Sequence, residues 1–167
     1  DATGNYSVTV PVATAYRADV TDPAGHQLTT ANDPQTVTSG TTGSTVNATP
    51  VGFQPMATIT GHAYFDTNGN GTQDTGEANL PTGTVVTLTP TGGGTPINTA
   101  LDAAGNYSVT VPVATTYRAD VTDPAGHQLT TANDPQTVTS GTTGSTVNAT
   151  PVGFQPMATI TGHAYFD

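Results

Sequence analysis

Along most of the chain apolar and polar residues alternate one for one, the two-residue period of a half-buried strand, and no helical spacing persists anywhere. The clearest stretch is Thr58-Ile59-Thr60-Gly61-His62-Ala63-Tyr64-Phe65, whose odd positions are predicted to face a core and whose even positions are predicted to face water. Further strands are predicted over Val85–Leu88, Gly105–Val111, Tyr117–Val121, Thr137–Thr139 and Thr146–Ala149. The 38 threonines favour this reading, because β-branched side chains pack well on a pleated surface. Punctuating clusters such as Thr91-Gly92-Gly93-Gly94, Asp123-Pro124-Ala125-Gly126 and Asn133-Asp134-Pro135 separate the strands. About seven short strands in a hundred residues predict an all-β fold, an immunoglobulin-like antiparallel β-sandwich. Its core candidates are Ile59, Phe65, Leu80, Val86, Leu88, Tyr107, Val109, Val111, Tyr117, Val121, Leu129, Val138, Val147 and Phe154.

The pattern also repeats. Asp1–Asp66 recurs as Asp102–Asp167, an offset of 101 residues, with Thr3 replaced by Ala104 and Ala15 by Thr116 as the two differences. That period is far longer than the roughly 20–50 residues of a solenoid unit, so it predicts a tandem array of independently folded domains. With the seam placed at Met56, residues 1–56 are the C-terminal part of one repeat, 57–156 a complete repeat, and 157–167 the first strand of the next. The seam is short and holds Pro55, whose fixed φ predicts a semi-rigid joint. Near-identity between neighbours suits a spacer, whose copy number sets length, better than a catalytic domain.

Charge narrows the partners. Twelve acidic residues stand against two basic ones, Arg17 and Arg118, for a net charge of −10, and there is no lysine. Such a surface cannot neutralise phosphates, which excludes nucleic acid and anionic membranes as partners. Cysteine is absent, removing disulfides, thiolate nucleophiles and zinc ribbons. No apolar run approaches the roughly 18 residues of a membrane helix, so no direct membrane insertion is expected of this segment. The N-terminus carries no signal-peptide pattern, so signals for export or anchoring are expected elsewhere in a longer protein.

One segment carries chemistry. Asp66-Thr67-Asn68-Gly69-Asn70-Gly71-Thr72-Gln73-Asp74-Thr75-Gly76-Glu77 fits the calcium-loop pattern D-x-[DN]-x-[DN]-G-x5-E at every position. Ca2+ takes six to eight hard oxygen ligands, and alternate residues of a tightly wound loop can converge on one point. Asp66, Asn68 and Asn70 are predicted to supply side-chain oxygens, Thr72 its backbone carbonyl, Asp74 a direct or water-mediated contact, and Glu77 two oxygens. Gly71 sits at the sharp turn. An Asn/Gly/Asp-rich surface turn is the plainer alternative, but no turn requires Glu77. Tyr64-Phe65 before the loop and Ala78-Asn79-Leu80-Pro81 after it belong to strands, so the loop is expected to act as a clamp and not as a helix-swinging sensor.

Other motifs point to nothing catalytic, and no enzyme is expected. His26, His62, His127 and His163 lack a close-spaced second ligand and read as surface residues. Gly92–Gly94 is followed by no Gly-Lys-Ser/Thr and reads as a hairpin tip, and no serine sits in a nucleophile elbow.

The Gly61–Gly71 block followed by Gly76-Glu77, together with Gly105-Asn106-Tyr107-Ser108-Val109, Tyr117-Arg118-Ala119-Asp120-Val121 and Val152-Gly153-Phe154-Gln155-Pro156, resembles the B-type repeat of serine-aspartate-repeat bacterial surface adhesins and, more broadly, the collagen-adhesin B-type domain. The resemblance implies a β-sandwich, calcium in the loop from Asp66 to Glu77, and tandem copies forming a stiff stalk at a cell surface or in a secreted fibre. Two features depart from the family. Ala104 and Thr3 stand where relatives often carry an acidic residue, and the absence of lysine rules out a lysine–asparagine isopeptide crosslink within this segment. The expected function is therefore a calcium-stabilised structural repeat, extracellular or at the cell surface, whose partners are adjacent repeats of the same chain. The alternatives are a multivalent module for a host protein or glycan, and a fibre subunit that exchanges strands with neighbouring chains.

Overall fold

The computed structural model describes residues 1–166; Asp167, the last residue of the predicted 157–167 strand, lies outside them. Its contacts divide the chain into two units, Asp1–Gln54 and a second beginning at Pro55.

In the first unit, β1 (Ala15–Ala18) pairs antiparallel with β3 (Gln35–Thr38), setting Tyr16 opposite Val37, while β2 (His26–Leu28) lies against the start of β4 (Phe53–Phe65). No residue from 1 to 54 is buried. Side-chain clasps hold its turns: Gln35 exchanges two 2.8 Å hydrogen bonds with the backbone of Thr49, and the Ser39 hydroxyl donates to the Pro11 carbonyl at 2.6 Å.

The second unit continues with β5 (Val85–Pro90), β6 (Ile97–Ala100), β7 (Asn106–Pro112), β8 (Thr116–Val121), β9 (His127–Leu129), β10 (Gln136–Thr139), β11 (Thr146–Asn148) and β12 (Val152–Pro156). One sheet has the order β10-β8-β5-β6, antiparallel throughout. The other is built around β4, with β7 antiparallel to it, β11 and β12 parallel to it, and β9 antiparallel to β12. The fold is an all-β, immunoglobulin-like sandwich. The expectation of purely antiparallel pairing needs one amendment, because the last two strands return alongside β4 in its own direction.

Between the sheets lie Ile59, Leu80, Val86, Leu88, Tyr107, Val111, Tyr117, Val121, Val138 and Phe154, all buried, with Phe65, Val109, Leu129 and Val147 packed half-buried against them. Leu101, Ala63, Ala119, Ala149 and Val152 complete the cluster. Tyr64 departs from the predicted alternation. It is 1% exposed although its position should face water. Its ring lies where a side chain at Gly153 would stand, so the glycine on the neighbouring strand makes room for it.

The two copies of the repeated sequence adopt different states. Asn106–Pro112 is β7, paired with β4 over seven residues, and Tyr107 is 4% exposed; the identical Asn5–Pro11 is irregular, and Tyr6 is 61% exposed. Likewise Ile59 is fully buried in β4, whereas Ile160, in the irregular segment 157–166, is 96% exposed. A strand is held by the ladder of its partner, and identical residues without that partner stay open.

Two predictions follow from backbone and charge. Ala114 has φ of 51°, a left-handed conformation that costs an L-residue with a Cβ about 1 kcal/mol, so Ala114→Gly should raise stability by up to that amount in urea denaturation. Asp134 accepts a 2.9 Å hydrogen bond from the Val121 amide. Burial, with Asp120 and Asp123 nearby, pushes its carboxyl up from 3.8 to about 6. The folded state therefore binds its proton more tightly than the unfolded state does. This contribution to stability is full below pH 3.8 and is lost as pH rises through about 6. Asp134→Asn should stabilise the protein at neutral pH by about 1 kcal/mol after allowance for solvent screening, and should flatten that part of the stability–pH curve. Equal melting temperatures for variant and parent at neutral pH would refute this assignment.

Candidate metal centre

The loop from Asp66 to Glu77 leaves β4 and returns to it. Phe65 donates its amide to the Ala78 carbonyl at 2.8 Å, Leu80 donates to Ala63 at 3.1 Å, and Tyr64 and Asn79 form an isolated bridge. Twelve residues are thus closed at the base by backbone pairing, a local consequence of the strand residues on either side. The Asp66 amide donates to Phe154 of β12 at 2.9 Å, tying the first loop residue to the sandwich.

Asp66 is fully buried and is the hub of the loop. Its Oδ1 accepts from the amides of Gly69 at 2.9 Å and Asn70 at 3.1 Å, and its Oδ2 from Gly71 at 2.7 Å. Both glycines have positive φ, 73° and 78°, the conformation that lets successive amides turn inward toward one carboxylate. Burial opposes the charge of Asp66, yet the Thr130 hydroxyl and the three amides outweigh it and hold the carboxyl below its ordinary range. The same Thr130 hydroxyl reaches the Gly153 carbonyl at 2.9 Å, and with one proton it serves one acceptor at a time.

Glu77 closes the loop: Oε1 accepts from the amides of Thr67 at 2.7 Å and Asn68 at 3.3 Å, and Oε2 from Asp74 at 2.9 Å. Asp74 Oδ2 accepts from the side-chain amides of Asn68 at 2.8 Å and Asn70 at 2.7 Å. The two asparagine oxygens take the amides of Asn70 and Thr72 at 3.0 and 2.8 Å. Five of the six predicted ligand residues therefore meet side chain to side chain or side chain to loop amide, while Thr72 joins through its amide. They form two hubs, one on Asp66 and one on Asp74. Among the described residues no three His, Cys, Asp or Glu side chains converge as a ready metal-binding group. Both oxygens of Asp66 and of Glu77, and Asp74 Oδ2, accept from N–H donors of the loop.

The donor set still suits a hard cation: every side-chain donor is an oxygen, three are carboxylates, and rotation of the Asn68 and Asn70 amides would exchange nitrogen for oxygen toward Asp74. The negative charge is felt next door. Burial first, then Asp66, Glu77 and Asp74, pushes the Tyr64 phenol up.

Sequence reading missed the outer support. Thr130 comes from the segment after β9, and Gln155 of β12 packs where a side chain at Gly69 would stand. His62 has its ring nitrogens 3.0 Å from Asn106 and 2.8 Å from Gln73, and Gln73 donates to Asn79 at 3.0 Å. Thr130, Gln155 and Asn106 come from distant strands or the segments beside them, while Gln73 and Asn79 are local, and no motif announces either group.

Replacing the hub should cost more than replacing its periphery. Asp66→Ala strands three amide donors and should lower stability by about 3 kcal/mol, whereas Asp66→Asn, which keeps an acceptor oxygen, should lose less. Urea midpoints measured in chelator test this; similar midpoints for Asp66→Ala and the parent would remove Asp66 from its central place.

Comparison with known proteins bears on the fold and on the family. No curated protein matches the chain. Among solved structures, GBS52, the minor pilin of the Gram-positive pathogen Streptococcus agalactiae, is similar with a TM-score of 0.50 at 15% identity, covering 67% of this chain and 49% of the pilin. A group B streptococcus pilus 2b backbone protein aligns at 16% identity with a TM-score of 0.43, covering 85% of this chain and 53% of the other. The chain thus spans about half the length of these pilins, and the first likeness supports a shared β fold. The family model of the SdrD B-like domain matches residues 57–160, well over half of the 167, and with the sandwich and its loop in place the chain belongs to the SdrD B-like domain family.

Proposed function

We propose that the protein is a structural segment of a bacterial cell-surface or fibre-forming adhesin, a spacer whose β-sandwich repeats are made firm by Ca2+ in the loop from Asp66 to Glu77. The observation that carries this reading is the loop itself: an oxygen-only donor set, closed at its base by β4 and organised by a buried carboxylate. Family membership and the pilin-like fold support the stalk role. Near-identity of the two copies supports a spacer set by repeat number, with one repeat spanning 57–156 and adjacent repeats as the immediate partners.

Asp66, Asn68, Asn70, Asp74 and Glu77 would hold the ion through side-chain oxygens and Thr72 through its carbonyl. The ion would supply charge compensation: three carboxylates in twelve residues repel one another, and a divalent cation reverses the sign of that interaction. Asp66 fixes the turn through the loop amides, and Glu77 holds the loop's entry and exit together.

At free Ca2+ one hundred times the dissociation constant, linkage would add about 2.7 kcal/mol to the domain. Chelation should therefore lower the melting temperature of the full chain by roughly ten degrees. Glu77→Gln should weaken Ca2+ binding in calorimetric titration and shrink that shift. A melting curve indifferent to both calcium and chelator would overturn the clamp while leaving the sandwich intact.

A further inference from the structure

The loop holds a chemical liability of its own. Asn68-Gly69 and Asn70-Gly71 are the two Asn-Gly pairs of the chain, and both asparagines lie close after the buried Asp66 in the loop. Asparagine is a thermolabile residue. When glycine follows, no Cβ hinders the attack of its backbone nitrogen on the asparagine Cγ. That attack forms the N–Cγ bond of a succinimide and breaks Cγ–Nδ2; ammonia leaves with the proton lost by the peptide nitrogen. Water then opens the ring at Cγ to give aspartate, or at the main-chain carbon to give isoaspartate.

Both reacting partners are pinned. The nucleophiles are the amides of Gly69 and Gly71, and they donate to Asp66 at 2.9 and 2.7 Å. A negative carboxylate on an N–H also opposes loss of its proton. The electrophiles are the side-chain amides of Asn68 and Asn70, which donate to Asp74 at 2.8 and 2.7 Å while their oxygens accept from Asn70 and Thr72. Asn68, Asn70 and Asp74 are exposed, so water reaches the site and the hydrogen bonds alone stand in the way.

We propose that Asn68 and Asn70 are deamidation sites held in check by Asp66 and Asp74, and that opening of the loop converts them to aspartate or isoaspartate. The aspartate product adds a carboxylate at the third or fifth loop position; the isoaspartate product lengthens the backbone there by one carbon and spoils the spacing. Loop damage and loop opening are thereby coupled.

The test is peptide mapping by mass spectrometry of the full chain aged at physiological temperature in mildly alkaline buffer with chelator, so that no bound ion contributes. The folded parent should deamidate at Asn68 and Asn70 at least about tenfold more slowly than the same chain unfolded in urea, since only the open loop reacts. Asp66→Asn should accelerate both sites. Asp74→Ala, an exposed change that leaves the core untouched, should do so with the fold intact by circular dichroism. Asp102→Ala, which removes a comparable carboxylate from a different turn, should not. Equal rates for the folded parent and the unfolded chain, or a folded Asp74→Ala that ages like the parent, would overturn the proposal.

Discussion

The Asp66 carboxylate is the constraint on which the loop depends. A buried charge is tolerable only when its lone pairs are filled, and here three consecutive loop amides and a threonine hydroxyl fill them. Those amides can converge because Gly69 and Gly71 accept positive φ, and the carboxylate can be buried because β4 delivers it directly from Phe65 to a position bonded to β12. Glu77 and Asp74 then close what Asp66 organises. The loop is in this sense an extension of the core through one charged residue.

The sandwich around it is lightly charged and held by backbone ladders. Among the described residues the two ion pairs, Arg17–Asp19 in the first unit and Arg118–Asp120 in the second, are exposed and add little. In their place stand side chains acting as backbone: Gln136 exchanges hydrogen bonds of 2.8 and 2.9 Å with Thr150, and the Ser140 hydroxyl donates to Pro112 at 2.7 Å. The same clasps recur in the first unit between Gln35 and Thr49 and between Ser39 and Pro11. They are local devices that survive without a buried core.

That contrast explains what could be read from sequence. Alternation located β5, β7, β8, β10 and β11, where branched or aromatic residues alternate with polar ones. It missed β6, β9 and β12, short strands with few β-branched or aromatic residues, and it placed Tyr64 on the wet face because the room for its ring is made by Gly153, distant in sequence. The loop motif identified Asp66, Asn68, Asn70 and Asp74, the loop side chains of the two hydrogen-bonded hubs, since their spacing is local. Thr130 and Gln155 escaped because β12 and the segment after β9 bring them to the loop from far along the chain, and the His62–Gln73–Asn79 chain escaped because polar side chains of this kind carry no spacing signal. Nor could sequence distinguish Tyr6 from Tyr107, which share their neighbours along the chain and differ in their neighbours across it.

Arg118 also bears on how such a module resists proteolysis. Proteases that cleave after basic residues find one target in each repeat, and a protease must draw several residues around the target into its cleft as an extended, unpaired segment. Arg118 sits in the middle of β8 with Thr137 of β10 on one side and Thr89 of β5 on the other. Its backbone is committed in both directions, so trypsin-like cleavage at Arg118 has to wait for β8 to leave the sheet.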